Sequence, residues 1–270
     1  APEPDRRDGA AASTIPAEAP PRGVRLGDLT WPEAEARLGP DAVVVIPLGA
    51  ASKEHGPHLR LRNDEILAEY FAARVLAAAD VVLAPTIGYH YYPAFTEYPG
   101  SITLRFETAR DLVVDVCRSL AAYGPRRFYV LNTGISTLRP LRAAAEVLAA
   151  EGILLRFTDL VAALGPVEAE LREQEGGTHA DELETSMILA IDPAAVDMSK
   201  AVKDYHPKGE GGLTRDPDGR GTYSPTGTWG DPTLATRAKG ERLCAAMVSA
   251  VLSDLDELRG ATPPAAATGP

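Results

Sequence analysis

The apolar run at residues 42–48 (AVVVIPL) constrains the fold of this chain more than any other segment. It is uncharged and rich in β-branched side chains, which is typical of a strand buried on both faces of a parallel sheet. Further strands are predicted at 81–85, 128–132 and 153–157, and helices between and after them at 64–79, 107–123 and 138–151. Because strands and helices alternate, the sequence predicts an α/β fold, a three-layer α/β/α sandwich with a mainly parallel sheet.

The length of the chain bounds its domain organisation. It has 270 residues, 45% of them hydrophobic, which is enough for one large domain with a complete core, expected at 24–258. Residues 1–23 are mostly Ala, Pro and charged residues, so we expect a flexible leader there and a loose tail at 259–270. The first residue is Ala, which would suit a removed signal peptide or a trimmed chain, so cytoplasmic and exported locations both stay open.

Charge and hydropathy argue against two classes of partner. The net charge of −11 disfavours nucleic acid, whose phosphates need a clustered basic surface. No run approaches the roughly 18 to 20 apolar residues of a membrane-spanning helix. Neither property says much about small-molecule substrates.

Metal-binding side chains cluster directly after the first long strand. Glu54, His55, His58 and Asp64 fall within eleven residues, where the chain leaves the carboxyl end of that strand. Open α/β sheets place their active sites at this edge. Asp64 alone could be an N-cap of the following helix, but the neighbouring histidines favour a metal site.

These residues resemble the first motif of the creatininase family of metal-dependent amidohydrolases. His55-Gly56-Pro57-His58-Leu59, with an Asp nine residues after the first His, matches the motif's register. The resemblance implies that His55 and Asp64 are metal ligands, with the Asp bridging two ions in the family. The family has a ligand Glu two residues before the His, where this chain has Lys53; a bulge could re-aim Glu54 to replace it.

A second departure follows the third strand. Residues 131–137 (LNTGIST) stand where most family members carry a metal-binding His, and here Gly134 or Ile135 occupies that place. The resemblance therefore implies one divalent ion, zinc or manganese, rather than two. Ser136 could contact substrate or cap the next helix.

A second motif matches over residues 179–186 (HADELETS), resembling the family's His-Ala-Gly-Glu-x-Glu-Thr-Ser. In the family the His works beside the reacting carbonyl and the last Glu supports catalysis. His179 and Glu184 inherit these roles by resemblance, and His58 is expected nearby as a catalytic group or a replacement ligand.

Two aromatic segments are candidate pocket walls. The loop at 88–101 contains Tyr91 and Tyr92, and the long connection at 200–232 contains Trp229, so these residues and Ser136 are predicted to bind substrate. The alternative for the first loop is packing within the domain or at an oligomer interface. The second segment is expected to be an ordered lid or a subunit contact.

The resemblance thus implies a small-molecule substrate and hydrolysis of a C–N bond in a small cyclic amide, lactam or formamide. It also implies that the enzyme is a homo-oligomer. One alternative is a metal-independent or repurposed enzyme in which Lys53 fills the charge space of a lost cation, although Lys53 is expected to point to solvent. The other is a non-catalytic protein that binds small molecules or serves in assembly.

Overall fold

The computed structural model describes residues 20–267, and its centre is a five-stranded sheet in the order β1-β3-β2-β4-β5. All four pairings between neighbouring strands are parallel. The strands are β1 (Val24–Arg25), β2 (Val43–Leu48), β3 (Val82–Leu83), β4 (Arg127–Asn132) and β5 (Leu154–Phe157). The predicted parallel sheet is confirmed.

Helices cover both faces of this sheet because alternate residues of β2 point to opposite sides. Val43 and Val45 belong to one core, with residues of α2, α5, α6 and α7, while Val44 and Ile46 belong to a second core under α3 and α4. The three-layer architecture is therefore confirmed. The helices are α1 (Trp31–Arg37), α2 (Asn63–Ala78), α3 (Phe106–Ala121), α4 (Leu138–Ala149), α5 (Leu160–Leu171), α6 (Glu182–Ile191) and α7 (Arg237–Gly260).

Helix α5 is absent from the sequence-based prediction. It contains Gly165 and Pro166 at its middle, which ordinarily interrupt a helix. The structure shows a continuous helix whose N-cap, Asp159, accepts a hydrogen bond from the Val161 backbone. Its apolar Leu164 packs into the core with α7, so tertiary packing outweighs the local signal.

The long connection at 200–232 is ordered and folds back onto the start of α6. It contains the short parallel pair β6 (Leu213–Thr214) and β7 (Thr222–Tyr223), and isolated bridges join His179 to Trp229 and Asp204 to Gly230. The buried Asp204 carboxylate accepts hydrogen bonds from Ser224 and Thr226. The segment is thereby fixed beside the second motif, and its role as a lid or subunit contact stays a prediction.

The chain ends lie partly outside the described range. Residues 1–19 of the predicted leader and residues 268–270 of the predicted tail are not described. Within the tail, the Ala267 amide donates to the Ala150 carbonyl, and the Ala261 carbonyl accepts from Arg127. None of the helices between residues 20 and 267 combines the length and the apolarity needed to cross a membrane.

Candidate metal and catalytic site

The site forms where β2 and β4 end side by side. The backbone at Gly49, just after β2, lies so close to the Asp64 carbonyl oxygen that a Cβ at this position would clash with it. Thr133, which follows β4, donates its hydroxyl hydrogen bond to the Leu48 carbonyl at 2.9 Å. These contacts hold the first turn of α2 and the third loop against the edge of the sheet.

His55 and Asp64 converge, as the first motif predicts. The His55 Nε2 atom lies 2.8 Å from Asp64 Oδ1, and His55 Nδ1 lies 2.9 Å from the Lys53 carbonyl oxygen. The alternative role of Asp64 as a helix N-cap is wrong, since Arg62 is the N-cap and makes no side-chain capping bond. Both residues are only 1% exposed, so water screens their attraction weakly.

Lys53 is buried, which overturns the expectation that it points to solvent. Its Nζ atom lies 2.7 Å from Asp64 Oδ2, so each carboxylate oxygen faces a different nitrogen. The ammonium also lies 4.5 Å from the ring centroid of Phe95 and 5.2 Å from that of Tyr92, within the range of cation–π attraction. Burial raises the pKa of Asp64, but Lys53 and His55 outweigh it and hold that pKa well below its usual range.

The second motif turns back into the same site through a strained backbone. Ala180 has φ 48°, the only positive φ of a non-glycine residue between residues 20 and 267. Its amide donates to Glu184 Oε2 at 2.8 Å, and Asp181 caps α6 by accepting from the Leu183 and Glu184 amides. The turn brings His179 and Glu184 to His55, whose Nε2 lies 3.3 Å from Glu184 Oε1.

Electrostatics at this point favour ionised carboxylate and charged imidazole in the metal-free chain. Burial raises the pKa of Glu184, but the attraction of His55 prevails and lowers it to about 2. Burial lowers the pKa of His55, but Asp64 and Glu184 prevail and raise it to about 10. A cation that bound here would have to displace the proton of His55.

Glu54 faces the site without the bulge that was considered for it. The segment after β2 is an irregular loop, and within it the Glu54 Oε1 atom accepts a 2.6 Å hydrogen bond from His179 Nε2. Its Oε2 atom accepts from the Gly56 amide at 2.8 Å. Burial raises the pKa of Glu54, and His179 together with the Gly56 amide lowers it by more. Both oxygens are therefore engaged in orienting the loop and the imidazole.

The donors fit one divalent cation. Ligand atoms of His55, His179 and Glu184 all lie within 4.8 Å of one another, and Asp64 Oδ1 adjoins His55. Imidazole nitrogens with carboxylate oxygens suit zinc or manganese. On the far side of Asp64 the Lys53 ammonium takes the space beside Oδ2, and the third loop at Gly134 offers no imidazole or carboxylate there.

A cavity of about 360 Å³ opens beside these donors. Lys53, His179 and Glu184 form its polar part. Apolar side chains from four helices form much of its wall, namely Leu67 and Phe71 of α2, Leu160, Val161 and Leu164 of α5, Leu183 and Met187 of α6, and Met247 of α7. Such a pocket, apolar with a few converging polar groups, is typical of small-molecule sites.

The predicted substrate-binding residues are divided by the structure. Ser136 and Trp229 line the cavity, although Ser136 donates its hydroxyl to the Tyr91 carbonyl at 2.9 Å rather than capping α4. Tyr91 packs edge-on against Phe106 and does not line the cavity, and Tyr92 lies buried beneath Lys53.

His58 lies away from the cavity wall. Its Nε2 atom shares a 2.8 Å hydrogen bond with Thr185 Oγ1 in α6, and burial lowers its pKa to about 4. The residue thus stays neutral and joins the first-motif loop to α6.

Phe95 is a site residue that the sequence did not single out. Its ring lies 4.4 Å from the His179 ring centroid and contacts the Lys53 ammonium on the same wall of the cavity. The aromatic density of the 88–101 loop pointed to this segment, but not to which ring would face the site.

Comparison with known proteins identifies a family model and related hydrolases that match most of the chain. The family model for creatininase, described as creatinine amidohydrolase, matches residues 27–255. Creatinine amidohydrolase from Pseudomonas putida is 28% identical over 263 residues, covering 90% of this chain and 99% of the relative. Mycofactocin precursor peptide peptidase from Mycolicibacterium smegmatis is 30% identical and covers 77% and 81%, respectively.

Solved creatininase structures share the fold. One described as the manganese form superposes with a TM-score of 0.71 at 26% identity, covering 87% of this chain and 98% of that one. A mutant creatininase of Zn-Zn type has a TM-score of 0.70 at the same identity and covers the same shares.

Proposed function

This chain belongs to the creatininase family of hydrolases, and from that membership we propose that it hydrolyses a C–N bond in a small cyclic amide, lactam or formamide, using one zinc or manganese ion. The observation that carries the proposal is the meeting of His55, Asp64, Glu184 and His179 beside one cavity. Two motifs far apart in the chain supply these groups, which is the arrangement expected of a catalytic centre.

We propose that His55, Asp64 and Glu184 hold the ion. When bound, the ion supplies Lewis-acid polarisation of a carbonyl and lowers the pKa of water. His179 is the group placed to move protons, because Glu54 accepts its Nε2–H and stabilises the ring when it is positively charged. It would take a proton from the attacking water and return it to the leaving nitrogen.

The apolar walls of the cavity would bind the carbon skeleton of the substrate and exclude bulk water from the reacting bond. Charged side chains also line the cavity, namely Glu168, Arg172 and Lys208. Assembly into homo-oligomers, which the family resemblance implies, stays a prediction.

A metal-independent enzyme of the same fold is the second candidate, and the buried ammonium of Lys53 beside Asp64 is the observation that favours it. Metal analysis of the purified protein separates the two. About one zinc or manganese per chain, lost in Asp64→Ala but kept in the surface variant Lys200→Met, supports the metal-dependent hydrolase. No metal in a folded wild type would refute it.

A substrate screen completes the test. Cyclic amides, lactams and formamides are incubated with the protein in the presence of zinc or manganese, and release of amine or carboxylic acid is followed. Creatinine and a short peptide belong in the panel because two relatives carry names that refer to such compounds. Turnover that disappears in His179→Ala supports the proposal, and turnover that survives this change contradicts the role of His179.

A further inference from the structure

Lys53 occupies the part of the site where donors for a second cation are missing. We propose that its ammonium replaces a second metal ion, neutralising Asp64 from the side opposite His55 and donating a hydrogen bond to the carbonyl oxygen of the substrate. The inference rests on the one-ion site of the proposed function. It assigns a further catalytic residue and makes this a mixed site of one metal ion and one lysine.

The first support is the division of charge around Asp64. Oδ1 faces His55 and the metal donors, while Oδ2 lies 2.7 Å from the Lys53 ammonium. A carboxylate that bridges two positive groups has one such group beside each of its oxygens. Lys53 supplies the second of them from within the chain.

The second support is the burial of the lysine. Lys53 is 5% exposed, and a buried ammonium is stable only when a partner compensates for its lost hydration. Asp64 and the faces of Phe95 and Tyr92 provide that compensation. The backbone also fixes the residue, because the Lys53 amide donates to the Leu61 carbonyl and its own carbonyl contacts His55.

The third support is the direction of the free donors. An ammonium has three N–H bonds. Among residues 20–267, Asp64 is the only carboxylate within ion-pair distance of the Lys53 ammonium. Lys53 lines the cavity together with His179, and the ring of Phe95 touches both groups. A remaining N–H bond can therefore reach a ligand in the cavity.

The reaction balances with these groups in place. Water adds its oxygen to the carbonyl carbon of the amide and gives one proton to His179, and the carbonyl oxygen gains negative charge that Lys53 stabilises by a charge-assisted hydrogen bond. The C–N bond then breaks, and the nitrogen takes the proton from His179. The products are a carboxylic acid and an amine, which together contain the atoms of the amide and one water.

Zinc titration against a chromophoric chelator tests the inference without a substrate. Wild type should bind one zinc per chain. Lys53→Met should still bind one zinc, about tenfold more tightly, because it removes the repulsion between the Lys53 ammonium and the zinc ion. A tenfold change in affinity corresponds to about 1.4 kcal/mol. Lys53→Glu should bind two, because it restores a carboxylate next to Asp64 Oδ2. Lys200→Met, on an exposed ion pair with Asp197, should match wild type.

The outcomes separate this inference from the proposed function. If wild type binds two ions, or if both Lys53 variants titrate like wild type, Lys53 does not stand for a cation, although the hydrolase proposal survives. If wild type binds none while Lys53→Glu or Lys53→Met binds zinc, Lys53 does take the place of a cation, but the mixed site of one metal ion and one lysine falls together with the metal-dependent hydrolase. If none of the three binds zinc, both fall. Circular dichroism checks folding, and Lys53→Gln replaces Lys53→Met if the latter fails to fold.

Discussion

Replacing Glu54 by Gln tests whether this carboxylate orients His179 or binds the metal. Glu54 Oε1 accepts a 2.6 Å hydrogen bond from His179 Nε2, and the two side chains are only 7% and 9% exposed. Gln has nearly the same shape, but it lacks the negative charge. The change therefore removes the electrostatic partner of the imidazole while leaving the cavity almost unaltered.

The expected loss follows from the geometry of the pair. Two unit charges about 4 Å apart interact by about 4 kcal/mol at an effective dielectric constant of about 20. This attraction acts when His179 carries the proton in transit, so its loss should lower kcat by roughly a thousandfold, since each 1.36 kcal/mol is tenfold in rate. One amide oxygen cannot accept from both His179 and Gly56, so unfolding free energy should also fall by about 1–3 kcal/mol.

The assay measures three quantities on Glu54→Gln: kcat with the amide found in the substrate screen, zinc bound per chain, and the melting temperature. We expect a large fall in kcat, one zinc per chain as in wild type, and a melting temperature a few degrees lower. Glu241→Gln, which alters only an exposed pair with Arg237, is the matched control. A kcat within tenfold of wild type would refute the positioning role, and a complete loss of zinc would make Glu54 a ligand instead.

Three further predictions follow from the buried charges. The metal-free protein should be most stable between about pH 4.5 and 6.5. The pKa of Glu184 is lowered from 4.5 to about 2, so its stabilisation is lost as the pH falls from 4.5 to 2. The pKa of His55 is raised from 6.5 to about 10, so its stabilisation is lost as the pH rises from 6.5 to 10. Melting curves in EDTA check this, and a maximum above pH 8 would contradict it. Zinc binding at pH 8 should release about one proton per chain from His55, measured in weakly buffered solution, and no release would show that His55 is already neutral. Lys239→Met should lower the unfolding free energy, measured in urea, by about 3 kcal/mol, because it leaves the fully buried Glu182 carboxylate without the Lys239 ammonium at 2.6 Å. A loss below about 1 kcal/mol would show that hydrogen bonds from backbone amides are enough to stabilise the Glu182 carboxylate.

The fold was largely predictable because its signals are local. The β2 run, the helical spacing after it and the repeated alternation with later strands each reflect burial patterns that neighbouring residues determine. Helix α5 was not predicted, because Gly165 and Pro166 interrupt its local pattern, and its packing against α7 compensates for that interruption. Its apolar side chains form one wall of the cavity, so the shape of the pocket was not predictable either.

The sequence by itself determined which chemical groups are present: the two motifs with His55, Asp64, His179 and Glu184, and a third loop, at 131–137, that contains no imidazole. Only the tertiary structure decided how these groups pair. It turned Lys53 inward to Asp64 and joined Glu54 to His179, which lies 125 positions along the chain. The physical reason is that the partner of a buried charged side chain depends on which distant elements pack around it and exclude water. A local pattern of residues contains no information about those distant elements.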